Sequence, residues 1–317
     1  MKKLGFFTLL VFMTVILSTT CLHAAENWAL GSSGAGSGPY VWGGKIAKHI
    51  NSNQQDLRIS SQATAGFNEN VELVVDGQIQ IGLQDASVLT KAYEGTGPFA
   101  GHPQKRVRAL FTVIVAPWHL VTRADANIHT IYDLKGKKVN IGLPAQGTRV
   151  YNEALLKAAG IAQSEFKVFE MATGQAFKAL QDNVIDASGN LFSLGHGRLL
   201  ELSANTKVHL VSIPDDVLQK FIKDVGGVIE YVIPPNVYKG QDKAVKTFGG
   251  VVMLFARDDL PEGSAYLLTR TFWDNLPALN KDKSFAHLNI QQAYIKNLVV
   301  PYHPGALKYF KEKGLTD

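Results

Sequence analysis

The sequence contains a single cysteine, Cys21, in 317 residues. One thiol cannot form a disulfide within the chain, and it cannot supply the ligands of a Cys-rich zinc cluster or a dithiol redox centre. The histidines are scattered, with no HExxH or other metal-binding spacing. We therefore expect no metal site and no cofactor.

The sequence also lacks a large excess of positive or negative charge. The 32 Lys and Arg residues nearly balance the 27 Asp and Glu residues, which gives a formal net charge of +5. Proteins that bind nucleic acid concentrate basic residues on one face. The densest basic runs here, at 135–138 and 308–313, are interrupted by Gly or Glu. We therefore expect no nucleic-acid partner.

Long apolar runs are confined to the N-terminus, where residues 4–17 are apolar but too few to span a bilayer comfortably. Two lysines precede this run, and small residues up to Ala24 and Ala25 follow it. This three-part pattern is typical of a secretory signal. We predict that residues 1–25 are a signal peptide cleaved near Ala24 or Ala25, and that the protein is exported and soluble.

Cleavage there would remove Cys21 and leave a chain without a thiol. Attachment of a lipid to Cys21 is the alternative, although Thr20 stands where a lipoprotein signal has Gly, Ala or Ser.

The rest of the chain has the composition of a globular protein, with 46% hydrophobic residues in the whole sequence, and its length suggests about two domains. A predicted strand at 28–33 runs into the Gly-rich loop at 31–38, and a helix is predicted at 40–50. The same order recurs up to residue 95. Strands that alternate with helices in this way favour parallel pairing with helices on the sheet faces, which is an α/β domain.

A second series of strands and helices begins after Arg106. We expect the chain to pass between lobes at Ala116-Pro117, which separates the predicted strands 107–115 and 120–123. We predict a discontinuous first lobe at 26–118 and 250–317 and a second lobe at 119–249, joined by two crossings that permit hinge closure. The last predicted elements are a strand at 249–255 and helices at 262–275, 290–298 and 306–313.

The strands end in loops rich in Gly, Ser and Thr, and ligands of open parallel sheets bind at the carboxyl ends of the strands. The first loop completes neither the GxGxxG nor the P-loop pattern. Its glycines can bring backbone amides close to a ligand, and Ser33 and Ser37 add hydroxyls; a tight turn is the alternative. In the second lobe, Gly147 and Thr148 offer an amide and a hydroxyl, or Thr148 is a plain N-cap.

A catalytic set is not recognisable in the sequence. A nucleophile elbow at Ser33 would need glycine at position 35, which is Ala35. The carboxylate pairs Asp215-Asp216 and Asp258-Asp259 lie close to prolines, where turn and cap roles explain them. We find no nucleophile, base and orienting group together, so we do not predict an enzyme.

Five motifs follow one another along the chain, and the most specific is the last. They are the loop 31–40 ending in Tyr40; 62–66 with Glu69-Asn70; 92–95 followed by 97–99; 133–137 with Gly142 and Gly147-Thr148; and 303–306 with Tyr309, Lys311, Glu312 and Gly314. Together they resemble the TAXI family of TRAP-associated extracytoplasmic solute receptors. The chain departs from the family pattern at Gln84-Asp-Ala-Ser87, where Gln-Ser-Asp is expected, and at 188–197, where an aromatic run and Gly-His-Pro are expected.

The resemblance implies a type II periplasmic binding protein, an α/β fold with a ligand cleft between two hinged lobes. It implies a monomer in the periplasm that captures a small organic acid, such as glutamate, a dicarboxylate or a keto acid, and delivers it to the membrane subunits of a TRAP permease. Only a solute that bridges both lobes favours the closed state. The predicted ligand contacts are Ser33, Gly36, Ser37, Tyr40, Gln84 and Ser87 in the first lobe, and Gly147, Thr148 and Asn190 in the second.

Alternatives stay open at this point. A receptor of the same fold could serve an ABC importer or a sensor kinase, and an exported serine hydrolase acting through Ser33 belongs to a different class. An aromatic ligand stacked on Tyr40 or Trp42 is a further possibility, although Trp42 at helical spacing also fits the core.

Overall fold

The computed structural model of the chain describes residues 25–144 and 147–316. The predicted signal peptide up to Ala24, with Cys21, therefore lies outside the described residues. Within the described part, no helix combines the length and the hydropathy needed to cross a membrane.

Strands and helices alternate, as the sequence predicts. The strands are β1 (Glu26–Gly31), β2 (Leu57–Gln62), β3 (Ile81–Asp85), β4 (Val107–Arg123), β5 (Lys138–Asn140), β6 (Lys167–Phe169), β7 (Ala187–Leu191), β8 (Val208–Val211), β9 (Val228–Ile233) and β10 (Val245–Arg257). The α-helices are α1 (Gly38–Asn53), α2 (Phe67–Val75), α3 (Ala86–Glu94), α4 (Gly147–Ala158), α5 (Thr173–Gln181), α6 (Gly197–Asn205), α7 (Asp215–Val225), α8 (Glu262–Asp274), α9 (Leu276–Leu279) and α10 (Pro304–Glu312).

The strands form one continuous mixed sheet in the order β2-β1-β3-β10-β4-β7-β5-β6, with β8 on β4 and β9 on β10. The predicted parallel pairing is found for β1 with β2 and β3, and for β5 with β6 and β7. All described strand pairs that include β4 or β10 are antiparallel. The two βα series are thus joined through a central antiparallel pair of long strands.

The predicted strand break at Ala116-Pro117 is wrong, because β4 runs without interruption from Val107 to Arg123. Pro117 and Ala116 stay in register with Gly249 and Gly250 of β10. A Cβ at Gly249 would overlap Val115 Cγ1, so glycine permits the close approach of the two strands here. Pro117 lacks only its own N–H donor. It is the last residue of β4 that pairs with β10, and from Trp118 onward β4 pairs with β7.

The buried apolar side chains form three clusters. The first core draws its members from residues 28–114 and 251–310. The second core and the third core draw theirs from residues 118–248 and 121–245. β4 and β10 therefore pass from the first core to the other two. The lobe boundaries at 118/119 and 249/250 stay a prediction.

The predicted helix at 290–298 is also wrong. Only a single 3-10 turn forms, at Ile290–Gln292, after the N-cap Asn289. Further on, the backbone N–H of Ile295 donates to the Tyr302 hydroxyl at 2.7 Å instead of continuing a helix. The apolar residues of this segment, whose spacing suggests a helix, lie in turns and pack against the first core.

Candidate functional site

A cleft of about 1060 Å³ lies between the first and second cores. One wall comes from the loops and helix starts that follow β1, β2 and β3, and the other comes from the first turns of α4 and the end of β7. Its lining includes Pro39, Gly66, Phe67, Glu69, Gln84, Asp85, Ser87, Lys91, Thr148, Tyr151 and Leu191. The cleft thus lies at the carboxyl ends of the parallel strands, where the sequence predicts a ligand.

Two helix N-termini reach the cleft from opposite walls. The N-cap residue of α2 is Gly66. Because glycine has no side chain, no N-cap side chain accepts a hydrogen bond from the first N–H groups of this helix. Thr148 stands in the first turn of α4 on the other wall. Free N–H groups and the helix dipole make such termini favourable places for an anion. Lys91 adds a full positive charge to the lining.

The third helix start at the cleft, that of α3, is occupied by Asp85. Oδ1 of Asp85 accepts hydrogen bonds from the Ser87 backbone N–H at 2.9 Å and the Ser87 hydroxyl at 2.6 Å. The backbone N–H of Val88 donates to the same oxygen at 3.4 Å. Asp85 is therefore the N-cap of α3, and its carboxylate takes the place an anionic ligand would need there.

Tyr151 of α4 closes the cleft floor against Asp85. Its hydroxyl lies 2.8 Å from Oδ2 and 3.0 Å from Oδ1 of Asp85, and 3.2 Å from Oγ of Ser87. Tyr151 is 5% exposed and belongs to the second core. The pair therefore connects the two walls by a partly buried hydrogen bond.

Burial sets the protonation behaviour of this pair. It raises the pKa of Asp85 above its ordinary value, although the hydrogen bonds from Ser87 and Tyr151 counteract part of the effect. Burial, followed by the charge of Asp85, raises the pKa of Tyr151 well above 10.0. Tyr151 is therefore a neutral hydrogen-bond donor at every physiological pH.

A backbone contact joins the walls beside this pair. Gly227, just before β9, has φ +64, and a Cβ there would overlap the backbone of Ala86 and Ser87. No other residue type can bring its backbone this close to the start of α3 without displacing it. Gly227 and Tyr151 thus hold the same helix start from the side of the second core.

Three of the predicted ligand contacts line the cleft: Gln84, Ser87 and Thr148. The side chain of Gln84 is fully buried; it donates to the Phe67 carbonyl at 3.0 Å and accepts the Asp85 N–H at 2.8 Å. Gln84 therefore shapes the wall by tying α2 to the end of β3. Ser87 and Thr148 present hydroxyls from opposite walls.

The predicted contacts in the Gly-rich loop lie beside the cleft. Ser37 is the N-cap of α1 and accepts the Tyr40 N–H at 3.3 Å, while Gly36 makes the turn with φ +82. Ser33 and Tyr40 are not among the lining residues, but Pro39, which precedes Tyr40, is. The tight-turn alternative describes the local conformation of this loop.

The structure places Asn190 inside β7 and not in a loop after it. Asn190 is 2% exposed and pairs with His119 of β4. Its amide donates to the Ser188 carbonyl at 2.9 Å and its Oδ1 lies 3.4 Å from Ser188 Oγ. Gly147 is the first residue of α4, next to Thr148.

Several residues of the cleft are not predicted from the sequence. Asp85 stands inside the segment that departs from the family pattern, so that departure is the available signal. Lys91 lies four residues further along α3 than Ser87, on the same face. Tyr151 carries no local signal, since its role depends on a contact 66 positions away in sequence.

A model of the NMT1-like family matches residues 30–314 of the chain. A TctC solute binding protein from Polaromonas superimposes with a TM-score of 0.54 at 13% identity, over 83% of this chain and 86% of that chain. The putative sulfonate ABC transporter, periplasmic sulfonate-binding protein SsuA from Methylobacillus flagellatus KT gives a TM-score of 0.50 at 14% identity, over 92% and 88%. At these identities the structures show a shared fold only, and they confirm the predicted α/β fold of periplasmic solute-binding proteins.

Proposed function

The chain belongs to the NMT1-like family, a type of periplasmic solute-binding protein, and we propose that it captures a small organic acid in the cleft for a TRAP-type permease. A solute-binding receptor binds a small molecule and works with membrane transporter components. The finer assignment rests on the TAXI-like motifs and on the chemistry of the cleft. Export through the signal at 1–25 and a monomeric state in the periplasm are parts of the same proposal.

The observation that carries the organic-acid proposal is the pair of helix starts on the two walls of the cleft. The first turns of α2 and α4 offer N–H groups from the two walls, and Lys91 belongs to the same lining. A solute with one or two carboxylates can accept hydrogen bonds from both walls, and such charge-assisted bonds are the stronger kind. The Thr148 hydroxyl adds a neutral donor, and the Ser87 hydroxyl, whose proton goes to Asp85 Oδ1, offers an acceptor.

The acidic residues of the cleft do not remove this preference. The carboxylate of Asp85 is occupied by the N–H groups of α3 and by Tyr151. Glu69 folds back, and its Oε2 accepts the Ala65 N–H at 2.5 Å. Both negative charges are thus held by donors of the protein, while Lys91 makes no ion pair with another described residue.

Closure of the two lobes would allow the permease to distinguish the solute-bound receptor from the empty one. We assign residues 26–118 and 250–317 to one lobe and 119–249 to the other, with β4 and β10 as the two connections. A solute held by Ser87 from one side and Thr148 from the other has more contacts when the walls approach, so it shifts the population toward the closed form. The hinge would bend where the two long strands leave the first core.

A thermal-shift screen of the chain purified after export tests the proposal. The panel contains amino acids, keto acids, dicarboxylates and aromatic acids, since a ligand at 100 times its dissociation constant stabilises the native state by about 2.7 kcal/mol. We expect a shift with aliphatic organic acids. The shift should shrink in both Ser87→Ala and Thr148→Val. A chain freed of co-purified solute that responds to no acid, or whose response survives both substitutions, would contradict cleft binding.

The permease is tested separately. Uptake of the identified solute should require this receptor together with TRAP membrane subunits and an ion gradient. Uptake driven by ATP hydrolysis instead would assign the receptor to an ABC importer. Hydrolysis of ester or amide substrates that Ser33→Ala abolishes would identify the hydrolase alternative.

A further inference from the structure

A second cavity, of about 980 Å³, shares Leu191 with the cleft. It is bounded by the start of α5, the end of β7, the loop 192–196 and the start of α6. We call it the Phe192 pocket. Leu191 is the one residue that lines both cavities among those described. The nine predicted ligand contacts and the charged groups of the cleft are absent from the lining described for this pocket.

A ladder of three stacked rings forms one side of the Phe192 pocket. The ring centroids of His119 and Phe192 are 4.4 Å apart with an interplanar angle of 27°, and those of Phe192 and His196 are 4.6 Å apart at 25°. His119 is buried at the inner end, and His196 is the outer ring and lines the pocket. Phe192 is therefore covered on both faces, and His196 is the end at which a further ring can be added.

The ladder is held in place by a buried hydrogen-bond chain. Nδ1 of His119 lies 2.9 Å from the Pro117 carbonyl, and Nε2 lies 3.0 Å from the Tyr238 hydroxyl. Oη of Tyr238 accepts the Gly195 N–H at 3.1 Å, which fixes the residue before His196. Because the carbonyl requires a proton on Nδ1, Nε2 accepts from Tyr238. These hydrogen bonds fix the position of the loop that presents His196.

His196 itself has an unused polar atom. Its Nδ1 is buried and has no hydrogen-bond partner in the described part of the chain. Burial and the nearby charge of Arg198 lower the pKa of His196, so the ring is neutral at physiological pH. A neutral ring keeps its full capacity to stack on another planar group.

Positive charge lies next to the ladder. Arg198 lines the pocket and makes no ion pair with a described residue, unlike Lys178, which pairs with Asp182 at 2.7 Å. The guanidinium lies against Gly174 in the first turn of α5, where a Cβ would collide with it. The residue before this helix is Ala172, whose side chain has no acceptor to cap the N–H groups of the first turn. A guanidinium and uncapped N–H groups therefore lie together.

We propose that the Phe192 pocket is a second binding site, separate from the cleft, that takes a planar aromatic carboxylate. The ring of the ligand extends the stack at His196, over the apolar surface of Met171 and Leu191. Its carboxylate pairs with Arg198, which suits this geometry because the guanidinium donates two parallel hydrogen bonds. The start of α5 supplies further N–H donors.

Titration calorimetry with benzoate and with cyclohexanecarboxylate tests the site. The two probes carry the same charge and have similar size, but only benzoate has a π face. We expect benzoate to bind with 1:1 stoichiometry and several-fold more tightly than cyclohexanecarboxylate, because aromatic stacking adds a contribution beyond buried area. Arg198→Gln should weaken the binding of benzoate about tenfold or more, because a hydrogen bond between charged groups is lost.

Control variants locate the benzoate site and separate it from the cleft. Arg270→Gln removes an exposed guanidinium on α8 and should leave the affinity unchanged, as should Ser87→Ala in the cleft. His196→Leu keeps the apolar bulk and should abolish the preference for benzoate over cyclohexanecarboxylate. Each variant is accepted only with a wild-type far-UV spectrum and cooperative unfolding.

The outcomes are decisive in both directions. Loss of affinity in Arg198→Gln, with retention in Ser87→Ala, supports the second site whether or not the cleft binds an aliphatic acid. No binding of benzoate at millimolar concentration, or binding that depends on Ser87 and not on Arg198, overturns it. Neither result bears on the thermal shifts that aliphatic acids cause through the cleft.

Discussion

The hydroxyl of Tyr151 lies 2.8 Å from Oδ2 and 3.0 Å from Oδ1 of Asp85, so both carboxylate oxygens of Asp85 accept the one hydroxyl proton of Tyr151 from the opposite wall of the cleft. Asp85 ends β3 in the first core, and Tyr151 stands on α4 in the second core. The contact connects the walls at the floor of the cleft, beside the helix starts that we propose as the carboxylate site. It therefore contributes both to stability and to the position of one wall relative to the other.

Removing this hydroxyl should weaken the fold. We expect Tyr151→Phe to lower the free energy of unfolding by about 1.5–3 kcal/mol, because the buried carboxylate loses a charged hydrogen bond while the ring still fills its place. Urea unfolding of the solute-free chain measures the effect. Tyr132→Phe, on a 41% exposed tyrosine, is the control and should change stability by less than about 0.5 kcal/mol. Equal stability of both variants would show that the Asp85–Tyr151 contact has no energetic role.

The raised pKa of Asp85 should appear as a pH-dependent stability. The folded state binds the Asp85 proton more tightly than the unfolded chain, whose aspartates titrate near 3.8. The contribution of this residue is therefore most favourable below about pH 3.8 and is lost as the pH rises through the higher folded pKa.

Comparison with Asp85→Asn isolates this effect from the carboxylates whose pKa values are lowered, such as Asp133 and Asp282. The difference in unfolding free energy, wild type minus variant, should fall as the pH is raised from about 4. A difference that stays constant or rises over that range would mean that burial does not raise the pKa of Asp85.

Gly227 should be far less tolerant of substitution than other glycines with positive φ. We expect Gly227→Ala to destabilise the protein by about 2 kcal/mol or more, since a Cβ there overlaps the backbone of Ala86 and Ser87. Gly240→Ala is the matched control: Gly240 has φ +81, but a Cβ at this position would meet no atom within 4 Å. It should cost only about 1 kcal/mol for the unfavourable backbone conformation. Similar losses in the two variants, measured by thermal unfolding, would remove the argument for close approach at Gly227.

His119 should make the fold sensitive to acid. Burial lowers its pKa to about 3, whereas the unfolded chain takes up this proton near pH 6.5. The stability from a neutral His119 is complete above pH 6.5 and is lost toward pH 3, at about 1.4 kcal/mol per pH unit. His119→Asn keeps a donor for the Pro117 carbonyl but cannot titrate, so the acid-dependent slope between about pH 6 and pH 4 should be shallower by that amount. An unchanged slope in urea titrations would contradict the buried neutral state.

The sequence predicts the fold well where the signal is local. The Gly-rich loop and the helical spacing after it place β1 and α1 within a few residues of their observed bounds. The alternation of strands and helices likewise predicts the sheet edge at which the cleft is found. Local patterns fail where pairing with a distant strand determines the structure. Pro117 suggests a break, but pairing with β10 up to Pro117 and with β7 from Trp118 keeps β4 continuous.

The cleft is predicted only in part, for the same reason. Ser87 and Thr148 can be predicted because hydroxyls at helix starts are visible in sequence, and both line the cleft. Asn190 comes directly after Ser188 and Gly189, which have low β propensity, yet pairing with β4 places it inside β7. The Asp85–Tyr151 contact joins residues far apart in sequence, and no periodicity or spacing indicates it.

The most direct test of cleft binding is the affinity of the best solute from the thermal-shift panel for the wild type, Ser87→Ala, Thr148→Val and the double variant, measured by calorimetry. Capture between two walls predicts that each single substitution weakens binding about fivefold or more, at about 1 kcal/mol per hydrogen bond. It also predicts that Lys91→Gln weakens binding further, while the exposed Lys157→Gln does not. A solute whose affinity depends on residues of one wall alone, or on none of these residues, would contradict binding in the cleft.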